Sequence, residues 1–67
     1  MISDIIARLA PDAQVYLRDG TPKPSNAGLL DLLGMGLVVR RVVEGAEMLR
    51  VTDSGKVVRR ELRGRNA

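Results

Sequence analysis

Leu29-Leu-Asp-Leu-Leu-Gly-Met-Gly-Leu-Val-Val-Arg-Arg41 changes its structural period halfway along. Its first half, four leucines around one aspartate, continues a helix that Ser25 and Asn26 can start. Gly34 and Gly36 bracket Met35, and either glycine can end that helix in left-handed backbone. Leu37 to Val43 is then rich in β-branched residues and carries strand propensity. Glu44-Gly-Ala-Glu47 is polar and short enough for a hairpin turn, and Met48-Leu-Arg-Val51 is the returning strand. With Gly45-Ala46 at the tip, Val42 faces Leu49 but Arg40 faces Val51, so the register stays open to a bulge or a longer turn. A helix therefore turns a glycine corner into a hairpin.

Beyond the hairpin, Thr52-Asp-Ser-Gly55 breaks the strand, and Thr52 or Asp53 caps a last helix. Val58 and Leu62 are four apart and can dock on a core, while Lys56, Arg59, Arg60 and Arg63 fill the rest of that helix's circumference. Gly64 to Ala67 should fray. Upstream, Thr21-Pro-Lys-Pro24 must be a loop. Ser3-Asp4 reads as a helix start, and Ile2, Ile5, Ile6 and Leu9 recur at helical spacing. Pro11 interrupts this pattern. It either opens a second helix that ends at Gly20 or kinks a single helix over residues 3–19. Tyr16 belongs in the core with its hydroxyl at the edge, and Leu30, Leu33, Leu37, Leu49 and Leu62 are expected to form that core together.

The 67 residues suit one domain, residues 1–67, of α+β class: three N-terminal helices, a β-hairpin and a C-terminal helix. A chain of this size buries only about 60% of its unfolded surface, so its stability is thin. There is no Cys, His, Phe or Trp, which removes disulfides, zinc sites and histidine-based triads from consideration. The acids stand singly, so an enzyme is not expected, and neither is a cofactor or a metal. Apolar runs such as Leu37 to Val39 fall far short of the roughly 20 residues of a membrane span. With no sign of an export signal, a cytoplasmic location is expected. The net charge is +3, carried by the second half, and Lys56 to Arg65 holds five of the eleven cations against one acid. Such a face suits a polyanion.

The order of these elements is similar to that of the winged helix-turn-helix family. Leu29 to Arg41 resembles the end of a recognition helix running into the first wing strand, with Leu30, Leu33, Gly36, Leu37 and Val38 in comparable roles. "LRVTDSGKVVRREL", Leu49 to Leu62, resembles the second wing strand, the turn and the final helix. The resemblance covers about half the chain. It implies a small phage- or prokaryote-type regulator of transcription that binds double-stranded DNA.

In that family the third helix reads bases while the wing and termini touch phosphates. The implied DNA contacts are Lys23, Ser25 and Asn26, with Asp31 beside them, then Arg40, Arg41 and Arg50 on the wing. Arg59, Arg60, Arg63 and Arg65 follow in the basic tail. Asn can pair bidentately with adenine, and guanidinium groups grip phosphates. Ser25 and Asn26 can equally be a plain helix cap. Glu44 and Glu47 at the wing tip would repel a phosphate backbone. They suit instead a protein-binding winged helix, such as a phage-type inhibitor or adaptor, or a subunit of a larger assembly. The Ile2, Ile5, Ile6 and Leu9 stripe offers a face for a homodimer.

Overall fold

The computed structural model describes residues 2–65, which form a small α+β domain of four helices and one antiparallel hairpin. α1 (Ile2–Arg8) and α2 (Pro11–Asp19) are separate helices, because Pro11 starts α2 and Ala10 before it is extended. α2 ends at Gly20 in left-handed backbone (φ 84°), its amide donating to the Tyr16 carbonyl at 2.7 Å. α3 (Asn26–Gly34) begins at Ser25, whose Oγ accepts from the Gly28 amide at 3.2 Å. β1 (Val38–Val43) and β2 (Ala46–Val51) make the hairpin, and α4 (Asp53–Arg65) closes the chain. Gly64 and Arg65 continue α4, whereas Asn66 and Ala67, where fraying was also expected, lie outside the described residues.

The corner between α3 and β1 is closed by backbone geometry. Gly36 is left-handed (φ 69°), its amide donates to Leu33, and the Leu37 amide reaches back to Leu32 at 2.9 Å. This is the paired-bond C-terminal motif in which a glycine lets the chain fold over its own last turn. Leu32 and Leu37 meet beneath it, 0% and 1% exposed. The Thr52 amide donates to the Leu37 carbonyl and its hydroxyl donates to the Gly36 carbonyl at 2.6 Å. The same Thr52 Oγ1 accepts from the Gly55 amide, which makes Thr52 the N-cap of α4. A Cβ at position 55 would strike the Leu37 carbonyl oxygen and the Val51 side chain, so only glycine fits that first turn.

The core gathers Ile6, Leu9, Ala13, Leu17, Leu29, Leu32, Leu37, Val38, Val58 and Leu62. The isoleucine stripe of α1 faces this core, with Ile2 and Ile5 packed against it. The face expected to form a homodimer is therefore the inner face of α1. Tyr16 and Leu49 are partly buried at the core's edge. The expected face of α3 is corrected by one position: Leu29 and Leu32 point inward, Leu33 is only partly buried, and Leu30 is 67% exposed. Four leucines in five residues leave the rotation of the helix undetermined by pattern. In the structure Gly28 lies buried on the inward side with Leu29 and Leu32, close to Asp12 of α2, where a Cβ would lie 2.8 Å from a carboxylate oxygen.

The hairpin tip is also corrected. Glu44 and Gly45 are the two central turn residues, both with positive φ (51° and 80°), as a twist-compatible two-residue hairpin loop requires. Val43 then pairs Ala46, Arg40 pairs Leu49 and Val38 pairs Val51, so the ladder needs no bulge. Val38, Leu49 and Val51 fall on the inner face of the hairpin.

Replacing Leu32 by Ala should cost about 2–5 kcal/mol, a large part of the stability of so small a domain. Leu30→Ala should stay within about 0.5 kcal/mol, as an exposed substitution does. Urea denaturation of the two variants checks this assignment. Equal losses would mean that α3 is rotated, with Leu30 turned toward the core.

Candidate nucleic-acid interface

The residues expected to touch DNA fall into three groups. Lys23, Ser25 and Asn26 stand together, exposed, at the start of α3. Ser25 acts as the helix cap, and Asn26 is the first helical residue. The outward side of α3 presents Asn26, Ala27, Leu30 and Gly34 exposed, with Asp31 half-buried and no cation on the helix.

A carboxylate already sits at this helix start. Asp12 Oδ2 accepts from the Ser25 amide at 2.7 Å, while its Oδ1 accepts from Ala13 at 2.9 Å. Hydrogen bonding from the Ser25 side chain, and then from its backbone, holds the Asp12 carboxyl below the usual range. Negative charge is favoured at a helix N-terminus, so this pairing pins α3 to α2. In the sequence Asp12 reads only as part of the Pro11-Asp12 start of α2, and its bond to Ser25, thirteen residues on, is not apparent. The hint available was an acid in the first turn of α2 together with a glycine early in α3, where two helices can approach closely.

On the hairpin, Arg41 and Arg50 lie on the outer face, exposed and outside any ion pair among the described residues. Arg40 is on the opposite face, where its Nε meets Glu47 Oε1 at 2.7 Å. The pair neutralises both groups, so Arg40 is engaged and Glu47 repels less than its bare charge implies. Glu44 remains at the tip. Between this inner face and the α2–α3 loop is a depression of about 300 Å³ lined by Tyr16, Lys23, Glu47 and Leu49, among others.

The third group is on α4. Lys56, Arg59, Arg60 and Arg63 border one shallow depression of about 320 Å³. Arg59 Nε donates to the Leu17 carbonyl at 2.6 Å, and Arg63 Nε donates to the Arg18 carbonyl at 3.1 Å. These carbonyls belong to the last turn of α2, where the helix leaves oxygens unpaired and carries partial negative charge. Both arginines therefore close α2. Gln14 does the same for α1, donating from Nε2 to the Ile6 and Leu9 carbonyls. Asp19, bonded to Arg18 and close to Arg63, is also held below its usual pKa, chiefly by the Arg18 side chain. Among the described residues no cluster of three His, Cys, Asp or Glu could hold a metal. No described helix is long and apolar enough to cross a membrane.

Arg59→Ala should lower stability by about 1–2 kcal/mol through the lost charged cap, while Arg60→Ala should change it by less than about 0.5 kcal/mol. Chemical denaturation separates the two, and equal effects would remove the capping role. The Asp12 contact predicts an acid response of definite sign. A depressed folded-state pKa stabilises fully above the ordinary carboxylate value of about 3.9, and that stabilisation fades as pH falls through the lower folded value. The melting temperature should thus fall on acidification below about pH 4, and less steeply in Asp12→Asn. Parallel curves for parent and variant would contradict the contact.

No protein-family model, curated protein or solved structure matches this chain.

Proposed function

We propose that the protein is a small winged helix-turn-helix regulator that binds duplex DNA, with α2 and α3 as the helix pair and the hairpin as the wing. The order of helices and hairpin is compatible with that fold. The observation that carries the proposal is the start of α3. That helix is pinned to α2 through Asp12 and Gly28, yet it leaves Asn26 exposed beside Lys23.

The side chains divide the work in the way DNA recognition requires. Asn26 supplies the amide that pairs with the N6 and N7 edge of adenine, and exposed Ala27 and Leu30 supply apolar contacts for thymine methyl groups. α3 thereby favours A·T pairs in the major groove. Lys23, Arg41, Arg50, Lys56 and Arg60 carry charge free of ion pairs among the described residues and serve phosphates. Arg59 and Arg63 keep one nitrogen each on the α2 carbonyls and add to the field more than to direct contact.

The test is binding to duplexes over a range of salt. Affinity should fall steeply with salt, and Arg41→Ala or Arg50→Ala should flatten the slope by about one unit per lost phosphate contact, on all sequences alike. Asn26→Ala should leave the slope unchanged and narrow the gap between A·T-bearing and random duplexes by about 1–3 kcal/mol. A protein that binds no duplex at low salt contradicts the proposal.

A further inference from the structure

The outer face of the hairpin carries more than phosphate contacts require. Its residues are Val39, Arg41 and Val43 on β1, and Ala46, Met48 and Arg50 on β2. Val39 stands opposite Arg50, and Arg41 opposite Met48, so the two arginines lie on one diagonal and the two apolar residues on the other. Val39, Val43 and Met48 are 42%, 49% and 56% exposed, and a groove of about 290 Å³ runs between Arg41, Val43, Met48 and Arg50. No acid lies on this face, since Glu47 is on the inner face with Arg40 and Glu44 is in the turn.

We infer that this face docks a segment of another protein in which carboxylates flank apolar side chains. Charge chooses the occupant. A second copy that met this face with the same face would set arginines against arginines, because every charged group on it is positive. A duplex would satisfy Arg41 and Arg50 but leave Val39, Val43 and Met48 against water and sugar-phosphate. A segment with acids at its ends and leucine-like side chains between them meets both demands, with charged pairs at the rim and apolar area at the centre. Valines have few rotamers to lose and methionine adapts its shape, so the face is suited to docking. Carboxylates on Arg41 and Arg50 would occupy the groups that phosphates need. Partner and duplex would then exclude each other at the hairpin.

A synthetic peptide of repeated Glu-Leu-Leu-Glu units, titrated into the isotope-labelled protein without DNA, tests this independently of the duplex reading. The expected result is amide shifts concentrated in residues 39–50. Serine in place of leucine in the peptide should weaken binding about tenfold, as should Met48→Thr or Arg41→Gln in the protein. Lysine in place of glutamate should abolish it. Met48 is exposed and threonine suits a strand, so that variant should fold, and the altered peptides test the claim on the parent protein in any case. Equal binding of the lysine peptide, shifts centred on α4, or indifference to both Met48→Thr and the serine peptide would overturn the inference. A protein mass that rises with concentration and falls back in Met48→Thr would also overturn it, in favour of a second copy.

Discussion

The carbonyl of Leu37 is the point on which the rest of the molecule depends. It accepts from the Thr52 amide and lies against Gly55, so the strand leaving α3 and the first turn of α4 are fixed to one backbone group. The Leu37 amide is held by Leu32 on the other side, and the Thr52 hydroxyl ties Gly36 to the cap of α4. Three elements thus meet within a few residues, around a leucine that is 1% exposed. A domain with no disulfide and little aromatic area needs such a junction, because hydrophobic burial alone gives so short a chain only about 3–5 kcal/mol.

From this junction outward, polar side chains finish what the helices leave open. Gln14 closes α1, Arg59 and Arg63 close α2, Ser25 opens α3 and Thr52 opens α4. Among the described residues no buried side-chain polar atom lacks a partner. The consequence for function is a redistribution of charge. Part of the basic tail is committed to α2, and Arg40 to Glu47, so the exposed cations outside these contacts include Lys23, Arg41 and Arg50 together with Lys56 and Arg60 on α4.

Much of the architecture was legible because it is carried by residues with few alternatives. Pro11 and Gly20, the Gly34–Gly36 pair and Thr52 to Gly55 mark the three boundaries in the sequence. The structure decides that Pro11 starts a separate helix, that Gly36 makes the left-handed turn and that Thr52 is the cap. What stayed hidden depended on partners distant in sequence or on near-degenerate patterns. The α3 leucines read equally well from either face, and only the packing against the other helices turns Leu29 and Leu32 inward. The hairpin tip turns on whether Glu44 accepts a left-handed backbone, which a single sequence does not reveal. The capping arginines contact carbonyls 42 and 45 residues away, and no local motif announces that. Of the candidate interface, the start of α3 and the outer hairpin arginines keep the roles open to them, while Arg40, Arg59 and Arg63 prove to be structural as well.

Native-state amide hydrogen exchange tests the central place of Leu37 most directly. The amides of Leu37, Thr52 and Gly55 donate into the junction at 2.9, 3.0 and 3.0 Å, and they should exchange only through global unfolding, sharing one slow rate set by the stability of the whole domain. Amides near the hairpin tip should exchange faster through local fraying. Junction amides that exchange as fast as the tip would show that α4 detaches from the α3–β1 corner by itself, and that the Leu37 carbonyl is not what holds the domain together.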